Sequence, residues 1–123
     1  MRLKFGTVLA VVALTGPAMA EATHYPAPAE STQEMVIYST LDNRLASTLI
    51  QAFQASHPDV SVRYEDLLAS EIAARVIAET DAGQPSADFL FSSAMDLQLK
   101  LANDGYGQEV SVAMARDWPT WAK

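Results

Sequence analysis

Two short hydroxyl-bearing stretches carry the residue types best suited to holding a small polar molecule: Ser39-Thr40-Leu41-Asp42 and Ser92-Ser93-Ala94. Each follows an apolar run and precedes a segment of helical spacing, so each is expected where a strand turns into a helix. The first backbone N–H groups of a helix have no partner within it, and hydroxyls beside them complete a cradle for an oxyanion that needs no lysine. Ser39, Thr40, Asp42, Ser92, Ser93 and Ala94 are therefore the candidate ligand contacts. Asp42, Ser92 and Ser93 equally suit plain helix capping, worth on the order of 1 kcal/mol each and requiring no ligand. Asp42 would repel an anion but could accept from an amine or coordinate a cation. Asp66 follows a strand at the same edge and could line a cleft there, or could be a solvated loop acid.

The elements that must position these residues alternate in type. Met35 to Thr40 is a nearly continuous apolar run that suits a strand covered on both faces. Leu45, Leu49 and Phe53 recur at a spacing of four from Asn43 to Ser56, with Ala46, Ile50 and Ala52 widening the stripe; Asp42 stands where an N-cap belongs and Pro58 stops the helix near His57. Val60, Val62 and Tyr64 alternate with polar residues, a period-two strand expected nearer an edge. Helical spacing returns from about Ser70, with Ile72, Ala73, Val76 and Ile77 on one face, and ends at Gly83 and Pro85. Ala87 to Phe91 is a third apolar run; Met95, Leu97, Leu99 and Leu101 carry a third helix, with Gly105 suited to its C-terminal turn. Strand and helix thus alternate three times. Crossovers of this length require parallel pairing and predict an α/β fold, an open, mostly parallel sheet with flanking helices. The turns after the first and third strands should then share one rim.

The rest of the chain narrows the function. Arg2 and Lys4, the apolar run from Phe5 to Leu14, and Gly16-Pro17 before Ala18-Met19-Ala20 form the three parts of a secretory signal peptide, expected to be cleaved after Ala20. Its apolar run is far shorter than the roughly 20 residues of a permanent membrane helix. Residues 21–34 hold two prolines and no apolar periodicity, and read as a flexible lead in which His24 is solvated. Without Arg2 and Lys4 the net charge is about −9, which argues against nucleic acid as a partner. Cysteine is absent, excluding thiolate zinc sites and cysteine nucleophiles. The two histidines, His24 and His57, are poorly placed for a triad or a metal site, and His57 fits a helix C-terminus. No paired carboxylates, nucleophile elbow or Gly-rich phosphate loop are found, so no enzymatic activity, metal or cofactor is expected. The last residues carry Trp118 and Trp121 with no element to settle them.

The run MVIYSTLDNRLASTLIQAFQASHPDVSVRY, followed by SADFLFSSAMDLQLKLANDGY, resembles the N-terminal lobe of type 2 periplasmic binding proteins, in the branch of iron(III)-type and phosphonate- or phosphoglycerate-type import systems. The likeness spans about residues 35–110 and rests on Tyr38-Ser39-Thr40, Phe53 through His57-Pro58, and Ala87-Asp88 leading to Ser92-Ser93. It implies the first lobe of a two-lobed protein that traps a small solute and delivers it to an ABC permease in the inner membrane. It also places Thr40, Asp42, Ser92 and Ser93 at first-lobe ligand contacts. On that basis the chain is expected to be a periplasmic, monomeric solute-binding polypeptide for a polar or anionic solute, with residues 111–123 opening a continuation that bears the second lobe. The paired tyrosines of iron-binding members have no counterpart here. The same module could instead serve as the exported sensing part of a signalling receptor.

Overall fold

The apolar run at Met35 forms the centre of a sheet. In a computed structural model, which describes residues 22–109, 111 and 116–120, four strands and three helices follow one another as β1 (Thr23–Tyr25), β2 (Gln33–Ser39), α1 (Asn43–Ser56), β3 (Val60–Asp66), α2 (Ala69–Asp81), β4 (Phe89–Phe91) and α3 (Met95–Asn103). The expected signal peptide, residues 1–20, lies outside the described residues. The sheet order is β1-β3-β2-β4, with β2 parallel to both β3 and β4. Because parallel neighbours end on the same side, Ser39 stands level with Asp66 on one flank and Phe91 on the other.

Two expectations are corrected. The segment 21–34, expected as a flexible lead, supplies β1, which pairs antiparallel with β3 through Thr23↔Tyr64, His24↔Arg63 and Tyr25↔Val62. Thr23, His24 and Tyr25 favour extended backbone, and neighbouring side chains hold them there. Tyr25 Oη donates to Asn43 Oδ1, and Asn43 Nδ2 donates to Thr23 Oγ1 at 2.9 Å. The buried Gln54 of α1 donates to the carbonyls of Pro26 at 3.1 Å and Val60 at 3.0 Å. In consequence β3, expected nearer an edge, is an inner strand covered on its outer side by β1.

The second correction concerns α1. Its sheet-facing residues are Ala46, Ile50 and Gln54, packed over Ile37, Val62 and Tyr64, whereas Leu45 and Leu49 of the expected stripe stay more than half exposed. The helix is turned so that its small and branched residues meet the sheet. On the opposite face, Tyr38 centres a second cluster with Leu67, Ile72, Val76 and Leu101, contributed by β2, the loop before α2, and α2 and α3.

Local chemistry sets the helix ends. Asp42 Oδ1 accepts from Arg44 N at 2.8 Å, capping α1. Glu71 Oε2 reaches back to Leu68 N at 2.9 Å and satisfies a donor at the start of α2. Both α2 and α3 end in a glycine of positive φ, Gly83 at 65° and Gly105 at 90°. There Gln84 N bonds Glu79 O and Tyr106 N bonds Leu101 O, which closes the last turn in each case.

The α2 face also holds a charged network. Glu65, almost fully buried in β3, accepts from Arg63 Nη1 at 2.9 Å and from Arg75 Nη1. Arg75 Nε donates to Glu79 at 2.7 Å, and the guanidinium lies 4.4 Å from the centre of the Tyr38 ring. Tyr38 Oη donates to Glu79 at 3.1 Å. Burial pushes the Tyr38 phenol up to about 12, so it is a neutral donor throughout the ordinary pH range. Burial on its own would raise the Glu79 carboxyl, but hydrogen bonds from Arg75 and Tyr38 outweigh it and hold the group below the usual carboxylate value. A carboxyl depressed in the folded state adds stability above its unfolded pKa and loses it as pH falls through the folded one. The stability gap between the wild type and Glu79→Gln is therefore expected to be widest at neutral pH and to shrink below about pH 4.5. Urea unfolding of both proteins from pH 7 to pH 3 measures it, and a gap that grew in acid would contradict the assignment.

Candidate functional site

The hydroxyls at the ends of β2 and β4 meet because those strands are parallel neighbours. Thr40 Oγ1 donates to Ser92 Oγ at 3.4 Å, and Thr40 N donates to Phe91 O at 3.2 Å. The turn into α1 and the turn into α3 thus form one continuous rim at the carboxyl edge of the sheet, as the sequence pattern requires. Open α/β sheets bind ligands at this edge, outside the strand ends.

The candidate residues divide by exposure. Ser39 is fully buried; its Oγ donates to Phe91 O at 2.7 Å and accepts from Leu41 N at 3.0 Å. Expected among the ligand contacts, it clamps the two turns together from beneath, with its hydroxyl both donating and accepting inside the protein. Ser92 is half-buried, and its Oγ accepts from Ala94 N at 3.1 Å, so it begins the turn that starts α3. Gln98 Nε2 donates to Ser92 O at 2.8 Å and fixes the same turn from the first coil of the helix. Thr40 and Ala94 are half-buried, whereas Ser93 and Asp42 are exposed. Asp42 has one carboxylate oxygen committed to the α1 cap.

Asp66 ends β3 on the same side as Ser39 and is exposed. Tyr64 belongs to the core instead, with its Oη donating to Leu41 O beneath the α1 turn. Burial raises its phenol, so it stays protonated while holding that carbonyl. His57 caps the far end of α1, stacked on Phe53 at 4.5 Å and away from the rim. His24 lies on β1 beside Glu34 at 3.6 Å.

Sequence reasoning missed the partners that hold the rim in shape. Gln98 is one of the polar residues that alternate with Met95, Leu97, Leu99 and Leu101, and its reach of six positions back to Ser92 O carries no local signal. The Ser39–Phe91 bond depends on β2 lying beside β4, which no local pattern reveals. Among the described residues no group of three or more His, Asp or Glu side chains could hold a metal ion. The rim can do one thing well. It presents hydroxyls and helix-start amides on a rigid edge, where they can donate to a small oxygen-rich molecule.

No family model matches the chain, and no match was found among curated proteins. Among solved structures, the chain is similar to the substrate binding protein of the ABC transporter from Agrobacterium tumefaciens, at 51% identity and a TM-score of 0.79. That likeness covers 88% of this chain but 32% of the Agrobacterium protein, so the chain spans about a third of its relative's length. The open α/β sheet with flanking helices described above is thus the fold that a transporter's substrate-binding protein uses over the matching third of its length.

Proposed function

We propose that the chain is the substrate-binding part of an ABC importer, in which the rim formed by Thr40, Asp42, Ser92, Ser93 and Ala94 supplies one side of the solute site. The observation that carries the reading is the 3.4 Å approach of Thr40 Oγ1 to Ser92 Oγ, which joins two helix-start corners into a single donor-rich edge. The likeness to the Agrobacterium substrate-binding protein supports the same class of role. The solute is a small polar or anionic molecule, a phosphonate, phosphate ester or ferric complex, in keeping with the type 2 resemblance of residues 35–110. The segment before Ala20 exports the chain to the periplasm, and a membrane permease receives the solute there.

A thermal-shift screen against phosphate esters, phosphonates, carboxylates and ferric complexes tests this. A true ligand raises stability by RT ln(1 + [L]/Kd), about 2.7 kcal/mol when its concentration is 100 times Kd. Thr40→Ala combined with Ser93→Ala is expected to abolish the shift while leaving the unliganded melting curve nearly in place, since both side chains sit at the rim. A shift that survives both replacements removes the rim as the site.

A further inference from the structure

The strand that runs against the others begins at the rim. β1 is antiparallel to β3, with Thr23 opposite Tyr64, so the chain ahead of Thr23 heads toward the end at which Asp66 closes β3. Asn43, the first residue of α1 and the neighbour of Asp42, holds that start in place. Its Nδ2 donates to Thr23 Oγ1 at 2.9 Å, and its Oδ1 accepts from Tyr25 Oη. Thr23 is half-buried and Ala22 exposed. The start of β1 is thereby fastened to the turn that carries Thr40 and Asp42.

Charge at this edge is lopsided. Asp42 and Asp66 are exposed, and Asp96 is exposed in the first turn of α3. Against these three carboxylates the same turns offer the single guanidinium of Arg44, in the first turn of α1. Arg63 and Arg75 are committed to Glu65. An edge with this balance repels an anion by charge even where its amides and hydroxyls could bind one.

Cleavage after Ala20 changes that balance. It makes Glu21 the first residue and frees an α-amino group, whose ordinary pKa of about 7.7–8.0 leaves it mostly charged at neutral pH. The Glu21 side chain is present before and after cleavage, so the difference is the ammonium alone. Two residues separate Glu21 from Thr23, as two separate Asp66 from Tyr64, and both stretches lead the same way. With about 3.4 Å per extended residue and about 4.8 Å between strands, the new amine comes within reach of the Asp66 carboxylate. We infer that removal of residues 1–20 seats the α-ammonium of Glu21 beside Asp66, so that the mature rim gains a cation the precursor lacks and binds an anionic solute more tightly. The pairing stands apart from the functional reading above; its effect on a solute rests on that reading.

The test uses the chain exported and processed from its own precursor, whose first residue should be Glu21 by N-terminal sequencing. Titrated by NMR without solute, the Glu21 amine should lose its proton about half a pH unit lower in Asp66→Asn than in the parent, because a neighbouring carboxylate favours the charged form. Asp59→Asn, just ahead of β3 at its opposite end, should leave that titration unchanged. Inorganic phosphate then probes the rim by calorimetry. Acetylating the Glu21 amine, which removes its charge, should weaken phosphate binding about threefold, and Asp66→Asn in the acetylated chain should restore it. The inference is overturned by a mature chain that starts elsewhere, by an amine titration that ignores Asp66→Asn or follows Asp59→Asn equally, or by phosphate binding that acetylation leaves unchanged. Phosphate bound by none of these forms, with the amine still answering to Asp66, would keep the pairing and remove the functional reading. Phosphate bound at the rim by a chain whose amine ignores Asp66 would do the reverse.

Discussion

Replacing Glu65 with alanine is expected to lower the unfolding free energy by about 3–5 kcal/mol, the cost of breaking a buried ion pair from one side. The Glu65 side chain is only 3% exposed and serves two guanidinium groups, Arg63 and Arg75. Its removal leaves Arg75 inside the α2 face with Glu79 as its remaining ion partner. Arg75 cannot escape by losing its proton: although burial opposes its charge, the hydrogen bonds it donates to Glu79 and Glu65 raise its pKa. Glu65→Gln, which keeps acceptor and shape but loses the charge, should cost less than alanine. Urea denaturation at neutral pH measures both, and the slope with denaturant should stay constant if the native fold persists. A loss under about 1 kcal/mol for Glu65→Ala would show that Glu79 alone satisfies Arg75.

Tyr38→Ala is expected to cost about 3–5 kcal/mol, the range for removing a large aromatic side chain from a packed core. Tyr38 is 1% exposed at the centre of the α2 face, and its ring also supports the Arg75 guanidinium. Tyr38→Phe separates the two contributions, because it keeps the ring and deletes only the hydrogen bond to Glu79. That variant should lose about 1.5–3 kcal/mol, as expected for a hydrogen bond to a charged acceptor. Combining Tyr38→Phe with Glu79→Ala should cost less than the sum of the two, since both sever the same contact. Strict additivity would mean that the Tyr38–Glu79 bond contributes nothing in solution.

The parts of the fold that could be read from sequence were those written in local chemistry. The run from Met35 to Ser39, the alternation from Val60 to Tyr64, Asp42 at the start of α1, and Gly83 and Gly105 past the ends of α2 and α3 each fall where the pattern places them. The shared rim was legible for the same reason, because parallel strands joined by helices must end on one side. What could not be read depended on distant partners. Three residues of β1 between charged and proline-containing segments carry no signal of their own; Tyr64, Arg63 and Val62, some forty positions later, hold them extended. The face of α1 was misjudged because Leu45 and Leu49 are the larger apolar residues, yet the space above the sheet admits Ala46 and Ile50. Likewise Glu65 gave no hint that a strand would bury it, since its compensation arrives from Arg75 on the next helix.

The order of the strands has a kinetic consequence. Among the described residues no two strands consecutive in the chain form a hairpin: Gln33 meets Val60, Thr23 meets Tyr64 and Ile37 meets Phe89. Every ladder must close a long loop before any of its bonds repays the lost chain entropy, so no local turn can seed the sheet. The helices can begin to form on their own, but β1 has nothing to dock on until β3, some forty residues later, is in place, so the first strand of the described residues must wait for one that follows it.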